Sequence, residues 1–213
     1  VLADWNGLMI GALARAGVVF EKPDWIALAD TAFEFVSESM ARDGNRLWHS
    51  SRAGRTSAPA TASDYADMIF AALRLLQAKG DAPYLDKAVA WAATLDVHHR
   101  DGDGGGYFTA ADDTDDVIVR LKSAHDDAVP SANTIHLSNL AALAALTGDG
   151  AYESRASELY AAFQGDIAKG PVGHCGLLAA SLDLGTLTQI MVMQAAGAKN
   201  VALQQALICT SNP

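Results

Sequence analysis

Two cysteines in 213 residues, Cys175 and Cys209, are too few for a disulfide-stapled scaffold. Neither stands in a Cys-x-x-Cys or Cys/His zinc spacing. Both read as free, mostly buried thiols of a reducing compartment, so a cytoplasmic protein is expected. Positive charge is also scarce. There are 15 Lys and Arg against 25 Asp and Glu, giving a net charge of −10 and a pI near 4.8. Phosphate backbones and anionic bilayers need clustered Lys and Arg, so nucleic acid and membrane partners are excluded. A neutral or cationic ligand fits better. No apolar run is long enough to span a bilayer. The chain opens on Val1 with neither initiator Met nor signal peptide, and so reads as a piece of a longer protein. Charged residues make up only 19% and hydrophobic ones 50%, a globular composition long enough for one large domain.

What is present is a loose repeat. Pro23-Asp24-Trp25-Ile26, Pro83-Tyr84-Leu85-Asp86 and Gly150-Ala151-Tyr152-Glu153 each open a helix that follows another helix. Trp25, Tyr84 and Tyr152 stand 59 and 68 residues apart. A long period with two helices per unit indicates stacked helical hairpins, which bury their apolar faces only against neighbours. The first helices open at Asp4-Trp5-Asn6-Gly7, at Ser63 or Asp64 as cap, and at Pro130-Ser131-Ala132-Asn133. Tyr107-Phe108 and Val117–Leu121 could pair as a small β-hairpin. The chain divides into a partial α/α toroid over 1–187 and the start of a C-terminal α/β tail over 188–213. In the tail, Thr188–Met193 reads as a strand and Ala198–Leu207 as a helix.

The parallel first helices should crowd their N-termini at one mouth, where the helix dipoles favour carboxylates. Paired carboxylates with nearby aromatic rings are what glycoside chemistry needs. Asp64 and Asp126 are the candidate pair, and Trp5, Trp48, Tyr65 and Tyr107 the candidate platforms. His125-Asp126-Asp127 invites a metal, but His49, His98, His99, His136 and His174 show no ligand spacing with it, so no metal is expected. Asp101-Gly102-Asp103-Gly104 opens like a calcium loop but lacks its later acidic ligand. The acidic run Asp112, Asp113, Asp115, Asp116 reads as a solvated loop. Gly104–Gly106 lacks the Lys and the βαβ setting of a phosphate loop, and no cofactor is expected.

The segments Val1–Met9, Ser63–Ala66, Gly104–Phe108 and Arg120–Asn133 occur in order. Together they resemble the YyaL / spermatogenesis-associated protein 20 family as far as about Met193. The resemblance implies an all-α fold: the second half of an (α/α)6, six-hairpin glycosidase-like toroid. About three hairpins would be present, with a small β-hairpin and a short α/β tail. The family's N-terminal thioredoxin-like domain would be absent. Matching residues are Trp5, Asn6, Gly7, Asp64, Tyr65, Gly105, Gly106, Tyr107, Phe108, Arg120, Lys122, Asp126, Pro130, Ser131 and Asn133. Two departures stand out: Asp127 where the family commonly has Gly, and Ala62-Ser63 where it often has Leu-Glu.

The reading that follows is a carbohydrate-active domain, a glycoside hydrolase or a sugar epimerase or isomerase. Asp64 and Asp126 would act as acid and base, and Arg120 and Lys122 would tune them or hold a substrate oxygen. Trp5, Tyr65 and Tyr107 would line the sugar, with Asn6, Ser131 and Asn133 as polar contacts. The alternative is a non-catalytic scaffold toroid; a third reading is a redox partner acting through Cys175 or Cys209. Expected partners are a small-molecule sugar and either the missing N-terminal part of the protein or a homodimer mate, because half a ring leaves faces uncovered.

Overall fold

The computed structural model describes residues 1–115 and 117–185. The expected tail strand and helix, and Cys209, lie outside the described residues.

Three hairpins follow one another. Helix α1 (Ala3–Val19) turns into α2 (Pro23–Glu34), α3 (Ala62–Lys79) into α4 (Pro83–His98), and α5 (Ala132–Thr147) into α6 (Gly150–Lys169). A short α7 (Cys175–Ser181) comes last. The first members, α1, α3 and α5, pack side by side and α7 extends the row; α2, α4 and α6 each lie against their own partner. Each second helix reverses the chain, so the inner helices are parallel and their N-termini share one end.

Local chemistry sets the boundaries. Pro23 and Pro83 occupy first turns, where a missing N–H costs nothing. Ser131 caps α5, its Oγ accepting the Thr134 N–H at 3.1 Å. The cap of α3 is Thr61, not Ser63 or Asp64. Asp64 sits inside the first turn and reaches back to the Thr61 N–H, as the third residue of a capping box does.

Helix α1 lies very close to α3. A Cβ on Gly7 would stand 2.6 Å from the Asp67 carbonyl carbon, and one on Gly11 would stand 2.2 Å from the Phe70 ring. Only glycine allows that approach. The core beneath holds Ile10, Tyr65, Met68, Leu75, Trp91 and Leu140, all at most 2% exposed.

A π-helical turn (Phe35–Ser39) closes α2 and leads into a small antiparallel sheet of order β1-β2-β3. Its strands are β1 (Ala41–Arg42), β2 (Arg46–Arg52) and β3 (Arg55–Pro59), with Ser50 opposite Ser57. The β2–β3 pair forms a hairpin, turning at Ala53-Gly54. The expected pairing of Tyr107-Phe108 with Val117–Leu121 is not formed as a hairpin. Tyr107 bridges Arg100 instead, and a single bond runs from the Thr109 N–H to the Leu121 carbonyl. Alternation was too short there to fix a register. Finally, Leu2 bridges Ser50, which ties the start of α1 to β2.

Candidate active site

The mouth of the inner helices gathers four ionisable groups. Asp4 opens α1, Asp64 and Asp67 lie one turn apart on α3, and His49 arrives from β2. Asp64 is fully buried and its carboxylate is saturated. Oδ1 accepts the Asp4 N–H at 3.0 Å; Oδ2 accepts the Thr61 N–H at 2.7 Å and the Thr61 hydroxyl at 3.0 Å. His49 Nδ1 lies 3.0 Å from both oxygens. With Asp64 ionised, Nδ1 carries the proton and Nε2 is left as the acceptor. The His49 side chain is 29% exposed. Donor atoms of Asp4, His49 and Asp64 all lie within 4.8 Å of one another, close enough to share protons or a cation.

Burial raises the Asp64 carboxyl above its ordinary value, opposed by the Thr61 N–H and by His49. Asp67 has no such help. It is 3% exposed, and burial, then the charges of Asp4 and Asp64, push it up to about 8. At neutral pH Asp67 is therefore a carboxylic acid beneath a carboxylate–imidazole pair.

The other residues expected from the sequence are distributed as follows. Trp5 is 61% exposed beside Asp4, its backbone N–H donating to Asp4 Oδ1 at 2.7 Å. Asn6 is half-buried and donates to the Leu2 carbonyl. Tyr65 and Tyr107 belong to the core. The Tyr65 hydroxyl accepts the Leu47 N–H at 3.0 Å, and that of Tyr107 donates to Asp96 at 2.7 Å. Asn133 is buried, donating to the Tyr107 and Ser123 carbonyls and accepting the Tyr107 N–H. Trp48 is half-buried under the Arg42 guanidinium, 4.4 Å from its ring centroid. Arg120 holds the Ala110 and His98 carbonyls. Lys122 binds Asp101 at 2.5 Å and the Gly105 carbonyl at 2.6 Å, holding the Asp101 carboxyl down to about 2.

Asp126 stands apart from the Asp64 cluster in its contacts. It accepts from the Ser131 N–H, the Thr134 hydroxyl and the Gly176 N–H, and so fastens the loop before α5 to α7. Next to it an open cleft of about 480 Å³ is lined by Ser123, His125, Lys169 and His174 among others. The His125 and His174 rings meet edge to face at 5.6 Å. Cys175, expected to be buried, is exposed at the start of α7. Part of the acidic run is engaged: Asp113 pairs with Arg46, and Asp112 with His98.

Sequence reasoning missed His49 and Asp67. The signal for Asp67 was present, since Asp64 and Asp67 share one face of a helix at i, i+3. His49 carried none, because β2 reaches α3 only through the tertiary fold.

Two comparisons place this arrangement. Spermatogenesis-associated protein 20 of Rattus norvegicus is 30% identical over 203 residues, covering 90% of this chain and 26% of that protein. The Homo sapiens protein of the same name matches to the same extent. Over nine-tenths of its length the chain is similar to the spermatogenesis-associated protein 20 family. It spans about a quarter of the length of these relatives. No protein-family model matches it. Among solved structures, it is similar to the GH76 α-mannanase of Bacteroides thetaiotaomicron, with a TM-score of 0.69 at 15% identity, covering 97% of this chain and 56% of that one. It is also similar to cellobiose 2-epimerase from Spirochaeta thermophila, with a TM-score of 0.64 at 18% identity, covering 79% and 44%. At these identities the likeness concerns the fold, an α/α toroid that carbohydrate-active enzymes use. Among the described residues no helix is long and apolar enough to cross a membrane.

Proposed function

We propose that this chain carries acid–base chemistry on a sugar at the mouth of its inner helices, of the epimerase or isomerase type. The observation that carries the reading is the Asp64–His49 pair, set beside Asp4 in a toroid fold shared with a sugar epimerase and a mannanase. Asp64 holds His49 in one tautomer, and His49 Nε2 takes or returns a proton at the carbon beside a sugar carbonyl. An imidazole can both accept and donate a proton, which suits that task. Trp5 offers an exposed ring for a sugar face, with Asn6 beside it.

Glycoside hydrolysis fits less well. It needs two carboxyls facing one substrate across a gap. Asp64 is enclosed by four donors, and Asp126 is occupied by three. The same facts favour a second reading, a non-catalytic scaffold in which these carboxylates only fasten helices. In either case the exposed Met9 and Leu28 of the first hairpin would be covered by further hairpins of a longer protein or by a homodimer mate.

A thermal-shift titration with mono- and disaccharides, run on the wild type and on His49→Asn, tests the reading. Stabilisation by a reducing sugar that weakens in the variant supports it. A chain that no sugar stabilises belongs to the scaffold reading.

A further inference from the structure

Arginines are few here, and several hold a carboxylate: Arg46 with Asp113, Arg100 with Glu158, Arg155 with Asp96. Arg15 and Arg74 do not, and of the arginines that do not these two share neighbouring inner helices. Neither has a carboxylate oxygen within 4.0 Å among the described residues. Arg74 donates to Gln77 Oε1 at 3.0 Å, and its guanidinium lies 5.1 Å from the Phe70 ring centroid.

The helix register brings the two together. Phe70 of α3 rests on Gly11 of α1. Arg15 stands one turn beyond Gly11, and Arg74 one turn beyond Phe70. Since α1 and α3 run parallel, this register sets Arg15 and Arg74 at the same level on neighbouring helices. On α3 the residues left partly open by its neighbours include Ser63, Phe70, Arg74 and Gln77, one stripe along the helix. Arg15 is likewise half-buried. The pair lies near the C-terminal ends of α1 and α3, at the opposite end from Asp64.

Two like charges on facing positions are a standing cost. Burial, then the charge of Arg15, lowers the pKa of Arg74, and Asp183 is the carboxylate that opposes the shift.

We propose that Arg15 and Arg74 together bind an oxyanion, a phosphate or carboxylate group, on the open face of the inner helices. Guanidinium forks match the geometry of such groups, and one anion between them replaces a repulsion with two charge-assisted pairs. This site is independent of the sugar reading and shares no residue with it.

The test is calorimetric and thermal-shift titration of the 213-residue chain with inorganic phosphate and with acetate. Sodium chloride at matched ionic strength is the control. Phosphate or acetate should raise the melting temperature of the wild type where chloride does not. The affinity should fall at least about ten-fold in Arg15→Gln and in Arg74→Gln, as loss of one strong charge-assisted pair implies. Without added anion, Arg15→Gln should melt at or above the wild type, because a like charge has gone. If Arg74→Gln fails to fold, the less embedded Arg15→Gln carries the test. A response to phosphate alone assigns a phosphate group, and one to acetate assigns a carboxylate. Equal shifts with chloride, or an Arg15→Gln response equal to the wild type, overturn the proposal.

Discussion

Replacing Asp67 with Asn should remove a specific loss of stability on going alkaline. In the folded chain Asp67 keeps its proton up to about pH 8, whereas its ordinary value is 3.8. Between these values the folded state binds the extra proton. Stability contributed by the protonated form is complete below about pH 4 and is lost as pH rises through 8. Each unit within the window corresponds to about 1.4 kcal/mol. Between pH 6 and 8 the slope tapers as the folded acid begins to ionise, and the integrated loss is about 2 kcal/mol. Asn has nearly the same shape and no proton to lose, so its curve should lack this component. Urea denaturation at pH 6, 7 and 8, with the wild type and Asp67→Asn side by side, measures the difference directly. The stability gap between the two should shift by about 2 kcal/mol in favour of Asn across that range. A gap constant to within about 0.5 kcal/mol would refute the burial and charge argument for Asp67.

Other outcomes follow from the same structure. His99 and His136 are buried, and burial lowers them to about 4 and about 3, so both are neutral in the fold. The stability they contribute is present above about pH 6.5 and is lost as pH falls toward those values, at about 1.4 kcal/mol per unit each. His136→Leu should flatten acid unfolding between pH 6 and 4 relative to the wild type. Gly11→Ala should cost about 1–3 kcal/mol in chemical denaturation, because its Cβ would enter the Phe70 ring. Asp64→Ala should cost about 2–4 kcal/mol, since it strands the half-buried Thr61 and Asp4 N–H groups and releases His49. If Asp64→Ala and His49→Ala cost the same few tenths, the pair is not coupled.

The hairpin plan was readable because each helix announces itself locally. Pro23, Pro83 and Ser131 mark starts, Gly80 and Gly148 mark left-handed stops, and apolar residues recur at helical spacing between them. The site was only partly readable. Asp64 stood out because an acid at a helix start is a visible pattern, and it does lie at the mouth. Tyr65 and Tyr107 looked like sugar platforms, but residue type does not say which side of an element faces the core. Trp5, with the same credentials, is exposed. His49, Asp67 and the Arg15–Arg74 register depend on how closely α1 meets α3 and on where β2 crosses. Those distances are set by Gly7 and Gly11 packing against a helix more than fifty residues away, which no local pattern encodes. Lys122 and Arg120 were expected to tune Asp64 and Asp126 or hold a substrate oxygen; instead they hold a turn and a loop, through Asp101 and the carbonyls of Gly105, Ala110 and His98.

The most direct measurement of the central claim is deuterium exchange into a reducing sugar. The chain would be incubated with glucose, mannose, cellobiose and mannobiose in D2O, and the carbon beside the carbonyl followed by NMR. The account predicts enzyme-dependent deuterium at that carbon for at least one sugar, abolished in His49→Asn and reduced in Asp64→Asn. Deuterium incorporation that survives His49→Asn, or none with any of these sugars, would contradict the assignment of acid–base chemistry to this mouth.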